Sequence, residues 1–123
     1  MLSVLQVALG GAIGAAARFL TVAGVVRLTG FSSAMGTLTV NVLGSFVMGV
    51  LVTWLEARGL LKLSPLLITG ILGGFTTFSA FANDSVNLWQ GGAPAASLLY
   101  IGASVGLSVL ALMAGMVLVR GIA

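Results

Sequence analysis

The chain has no cysteine and no histidine, and its 123 residues contain only two carboxylates, Glu56 and Asp84. These absences exclude disulfide frameworks, thiol nucleophiles, imidazole bases and nearly all transition-metal sites. Glu56 reads as part of a short polar loop and Asp84 as lying near a helix end. Paired-carboxylate hydrolysis, which needs both groups on one bond, is therefore not expected. No hydrolytic or redox enzyme is expected. Charged residues of either sign make up 6% of the chain, against roughly a quarter in a water-soluble domain. The net charge is +3, but Arg18, Arg27, Arg58, Lys62 and Arg120 form no stripe or cluster. Phosphate binding needs several cations together, so no nucleic-acid partner is expected.

What remains is apolar. Hydrophobic residues are 59% of the chain and the mean hydropathy is +1.24, which points to membrane spans. Four apolar segments are expected, at about residues 4–26, 36–55, 65–88 and 94–119. Ser64-Pro65 reads as a cap followed by proline at the first helical position, Gln90-Gly91-Gly92 as a stop, and Pro94 as a new start. The connections are too short for further domains, so residues 1–123 read as one all-α, four-helix membrane unit. Met1 to Ala17 has no basic leader before it and Arg18 directly after it, so no cleaved signal peptide is expected. Arg58, Lys62 and Arg120 fall on one side of the membrane and Arg27 on the other, a weak bias compatible with insertion in both orientations.

Small residues recur four apart at Gly10 and Gly14, Gly70 and Gly74, and Gly102 and Gly106. Such pairs let helix backbones approach closely in lipid, and close packing is expected at all three. The polar residues inside the spans each carry two readings. Thr37, Asn41 and Ser45 share one helical face, where Asn41 either joins helices or donates to an anion. Tyr100, Ser104 and Ser108 form a second line, with Ser97 one turn earlier, serving as a polar route or bonding back to their own helix. Arg18 either snorkels to the interface or attracts anions at a vestibule.

The segment from Gly73 to Phe81 carries two glycines, three hydroxyls and three phenylalanines. Gly73-Gly74 followed by Thr76-Thr77 predicts a break near the middle of the third helix. Non-helical backbone at membrane depth must be covered by protein or line a cavity. Phe78 and Phe81 are either packing aromatics or two positive ring edges able to hold a small anion.

Three motifs in this order carry a resemblance: Gly10-Gly11-Ala12-Ile13-Gly14-Ala15 leading to Arg18, Gly36-Thr37-Leu38-Thr39-Val40-Asn41, and Gly70 through Phe81. The chain resembles the Fluc (also called CrcB) family of small fluoride channels, and the likeness covers all four spans. It implies a dual-topology, antiparallel homodimer in the inner (cytoplasmic) membrane, with two pathways that passively export fluoride and lower its cytoplasmic level. It also implies that Phe78 and Phe81 line the anion path with Asn41 and Ser79, and that Tyr100, Ser104 and Ser108 form a polar track. By the same resemblance Arg18 is the first-helix arginine, and the backbone carbonyls of Gly73 and Thr76 hold a structural sodium ion at the dimer centre.

Two residues depart from the family pattern. Ala80 stands where a second hydroxyl after Ser79 is frequent, and Asp84 stands where glutamate is common. Two other functions use small four-helix chains. A proton-coupled multidrug exporter needs a membrane-embedded carboxylate, which the first span lacks. A non-transporting assembly subunit would use the motifs for packing alone.

Overall fold

The computed structural model describes residues 2–122; residues 1 and 123, the ends of the expected unit, lie outside the described residues. The chain is all-helical. Helices α1 (Leu2–Thr29) and α2 (Ser33–Ala57) form a long antiparallel pair, and α5 (Pro94–Ile122) closes the chain. Between α2 and α5 the third crossing is a composite. A 3₁₀ turn (Leu61–Leu63) leads into a wide π-helical stretch (Pro65–Leu72) and one α-helical turn, α3 (Gly73–Phe75). After a break, α4 (Phe78–Gln90) completes it. Each of the four crossings is long and apolar enough to span a bilayer.

Three local expectations need correcting. Glu56 belongs to the last turn of α2, because the helix continues past the apolar run until Gly59 turns the chain. Ser64 has helical backbone angles and makes no side-chain cap, so helical backbone already begins at Leu61. Pro65 instead fits where the helix widens, since it has no N–H to contribute there. The third correction concerns the glycine pairs. Gly10, Gly14, Gly70 and Gly74 do bring α1 against the first half of the third crossing. A methyl group on Gly10 would lie 2.8 Å from Gly70 Cα, and one on Gly74 2.7 Å from the Gly11 carbonyl oxygen. Gly102 and Gly106, by contrast, have open space around them, with no atom within 4 Å of an added Cβ. The close contact of α5 is made elsewhere, where Gly49 of α2 faces Leu112 and a methyl group on Gly115 of α5 would lie 2.9 Å from the Val50 nitrogen.

Helix α2 is central, packing on α5, α1 and α4. Its buried side is rich in small residues: Gly36, Thr37, Gly44, Gly49 and Thr53 are all buried. Large apolar side chains point outward instead, with Phe19 73%, Leu28 86% and Ile122 79% exposed. That inversion suits a chain whose surroundings are hydrocarbon, where helices associate through backbone contact rather than by escaping water.

Candidate functional site

The site is organised by the break in the third crossing. Gly73 to Phe75 are helical, and the extended residues are Thr76 (φ −87°, ψ 156°) and Thr77 (φ −149°, ψ 120°). Within the expected break from Gly73 to Thr77, the interruption itself falls at the threonines, two β-branched residues suited to extended backbone. Gly74 serves close contact with α1, which a helical turn supplies, whereas a Cβ on Gly73 would meet only the Ile68 carbonyl of its own crossing.

A break frees backbone groups, and nearby side chains take up several of them. Thr76 turns both its N–H and its hydroxyl onto the Leu72 carbonyl, at 3.0 and 2.9 Å. The Thr77 N–H donates to Asn41 Oδ1 at 2.8 Å, while Asn41 Nδ2 donates to the Thr77 carbonyl at 3.0 Å. Thr77 Oγ1 caps α4 by accepting from the Ala80 N–H at 3.2 Å. Arg18 Nε donates to the Gly74 carbonyl at 3.0 Å. Among the described residues, no hydrogen bond reaches the carbonyl oxygens of Gly73 and Thr76.

Asn41 thus pairs with a strand-like residue as another strand would, and the pairing fixes which end of its amide is which. One N–H of that amide is left over, since the group has two. Arg18 does not snorkel. It sits about 16 Å along α1 from the helix end, at 1.5 Å per residue, and is held there by a carbonyl the break exposes.

Two cavities flank the Asn41–Thr77 pair. The first, of about 360 Å³, is a groove between α2, the break, α4 and α5. Phe78 and Phe81 line it with centroids 5.4 Å apart and ring planes at 61°, an edge-to-face pair. Phe78 is 78% exposed, so it is no core residue. Asn41 and Ser45 line the groove from α2, and Ser104 and Ser108 from α5. Ser104 Oγ is buried with no hydrogen-bond partner, an unmet polar group beside this groove. No carboxylate and no basic side chain lines the groove.

Two expected path residues lie outside it. Ser79 is exposed, its hydroxyl 3.3 Å from that of Thr77. Tyr100 is buried; its ring backs Phe81 at 5.6 Å, and its hydroxyl donates to Asp84 Oδ2 at 3.2 Å. Ser97, at the start of the α5 line, donates to the Ser85 carbonyl at 2.6 Å and joins α5 to α4.

The second cavity, of about 560 Å³, lies between α1, α2 and α4, and its lining includes Arg18, Thr37, Thr77, Ala80 and Asp84. The α2 stripe therefore serves both spaces: Thr37 faces this cavity, Asn41 and Ser45 the groove. Thr77 lines both. Its pairing with Asn41 was missed from sequence because the two lie 36 residues apart, with no spacing rule to connect them. The Gly49–Gly115 contact was missed too, although Ala111 and Gly115 are four apart, the same signal seen elsewhere.

The chain is similar to known proteins along nearly its whole length. A family described as "CrcB-like protein, Camphor Resistance (CrcB)" matches residues 5–116. A "Fluoride-specific ion channel FluC" of Cereibacter sphaeroides is 56% identical over 119 residues, covering 97% of this chain and 95% of the relative. Proteins of the same name from Ruegeria sp. (strain TM1040) and Rhizobium etli are 51% and 46% identical over 125 residues. The first alignment covers 99% of this chain and 98% of the relative, the second all of both. With its three motifs gathered around one helix break and a match that runs through all four crossings, the chain belongs to the CrcB family.

Proposed function

We propose that the chain is the subunit of a fluoride-selective channel that lets fluoride cross the membrane passively. The observation that carries this reading is the Phe78–Phe81 edge-to-face pair on a groove lined by neutral hydrogen-bond donors. The relatives' shared name supplies the ion. Fluoride holds its hydration shell tightly, so a path must replace water without a fixed charge that would trap the ion. Ring edges carry partial positive charge. The spare Asn41 N–H and the hydroxyls of Ser104 and Ser108 add donors along the groove. No covalent step is involved, and we assign no enzymatic activity. Ser79 and Tyr100 act beside the path: Ser79 at the α4 cap, Tyr100 behind Phe81.

In this reading residues 1–123 form one subunit, and two subunits inserted in opposite senses in the inner membrane make the channel. Fluoride would leave the cytoplasm through either of its two pathways. The apolar exterior and the open Gly102–Gly106 face of α5 support a partner. Among the described residues no group of three His, Cys, Asp or Glu side chains exists to hold a metal. The carbonyls of Gly73 and Thr76 are hard oxygen donors without a hydrogen bond, so they fit a sodium ion shared between two breaks. Bound there, sodium would neutralise converging carbonyl dipoles and tie the subunits together.

Wild-type protein in liposomes is expected to dissipate a fluoride gradient and leave a chloride gradient intact; equal permeability would overturn selectivity. Phe78→Ile and Phe81→Ile are expected to keep the assembly while lowering fluoride flux by at least an order of magnitude. Unchanged flux in both would favour a non-transporting assembly role. A carboxylate-driven multidrug exporter fits less well, because no carboxylate reaches the groove.

A further inference from the structure

Arg18 and Asp84 are the two charged residues set well inside the crossings, Asp84 at the middle of α4 rather than near a helix end as expected, and both line the second cavity. They do not pair: among the described residues no ion pair forms within 4.0 Å. Each is held by something else. Arg18 gives its Nε–H to the Gly74 carbonyl, leaving the four Nη hydrogens of the guanidinium. Asp84 accepts the Tyr100 hydroxyl on Oδ2. One positive and one negative charge therefore share a space walled by the apolar Ala15, Phe19, Val22 and Ala80 and by the uncharged Thr37 and Thr77. In such low-dielectric surroundings a charge acts over a longer range than in water.

We propose that Asp84 sets the affinity and selectivity of this cavity by offsetting Arg18. A lone guanidinium at this depth would collect small anions and release them slowly. Conduction requires an ion to enter readily and to leave readily. With the carboxylate opposite, the cavity admits an anion without storing it, and larger anions gain no Coulombic foothold. Thr77 lines this cavity and the phenylalanine groove alike, so the balance acts at the door of the path. The proposal rests on the fluoride-channel reading above.

The test is fluoride efflux from proteoliposomes as a function of fluoride concentration, with and without an impermeant salt. Asp84→Asn keeps the size of the side chain and an acceptor for Tyr100 while removing the charge. It is expected to lower the half-saturating fluoride concentration roughly 10-fold without raising the maximal rate. Chloride should then inhibit this variant competitively, and added salt should weaken both effects. Asp84→Glu keeps both charges and should retain wild-type half-saturation; Tyr100→Phe keeps both charges but loses the hydrogen bond, and should not reproduce the shift seen with Asp84→Asn. The proposal is overturned by an Asp84→Asn variant with unchanged half-saturation and no chloride inhibition. It is equally overturned if Tyr100→Phe reproduces the Asp84→Asn behaviour, since the hydrogen bond would then be responsible. Should Asp84→Asn not fold, the wild type decides: its half-saturation should hardly move with impermeant salt, and a steep dependence counts against a balanced cavity. Wild-type protein that passes no fluoride would sink the channel reading itself, a separate result.

Discussion

Asn41 is the residue on which local structure and the proposed path meet. Its amide completes the backbone of Thr77 on both sides, so removing it strands a donor and an acceptor at once. Asn41→Leu, similar in size, should cost about 1–3 kcal/mol for each stranded group. Unfolding of the purified protein in detergent would measure that loss. Ser79→Ala touches only an exposed hydroxyl pair at 3.3 Å, and should change stability by about 0.5 kcal/mol or less. The contrast separates two residues that the family resemblance places together in the anion path. One supports the break that the path runs past; the other decorates its rim.

At the scale of elements, helix packing depends on missing side chains. Gly14 of α1 lies against Ile71 and Phe75, and Gly49 of α2 against Leu112 and Met116. Gly14→Val and Gly49→Leu each force backbones apart, and should leave little folded protein by circular dichroism and gel filtration. Gly102→Leu meets open space, so the subunit should fold with unchanged helix content. If that face of α5 meets a partner subunit, the same substitution should abolish dimers in cross-linking. The break follows similar logic. Glycines place α3 against α1, while threonines make the turn from α3 to α4, and Arg18 and Asn41 hold the two sides.

For the whole molecule, the notable quantity is how little is inside. Among the described residues only Val40 and Leu55 are fully buried apolar side chains, with Leu72 and Val119 nearly so, while most large apolar side chains face outward. A bilayer and a second subunit are the surroundings that suit such a surface. Charges at the two ends differ little, with Arg58, Lys62 and Arg120 at one and Arg27 at the other. Tags placed at the C-terminus of expressed protein should be found on both sides of the membrane; a single side would overturn dual topology. Exchanging sodium for a bulky organic cation during purification should lower the thermal unfolding temperature and favour monomers, if sodium joins the two breaks.

The sequence by itself determined the number of crossings, the membrane setting and the presence of a break in the third. These follow from local apolar runs and from residues that cannot continue a helix, and both act over a few positions along the chain. It also marked the phenylalanine pair and the polar stripes, because 3.6-residue periodicity places such residues on one face without reference to neighbours. Only the tertiary structure decided what those faces meet. It confined the extended residues of the break to Thr76 and Thr77 and left Gly102 and Gly106 without a neighbour inside the subunit. It also joined Asn41 to Thr77 and put Arg18 and Asp84 around one cavity. The reason is physical: each of these depends on contacts between residues far apart in the chain, and such contacts exist only once the helices have packed.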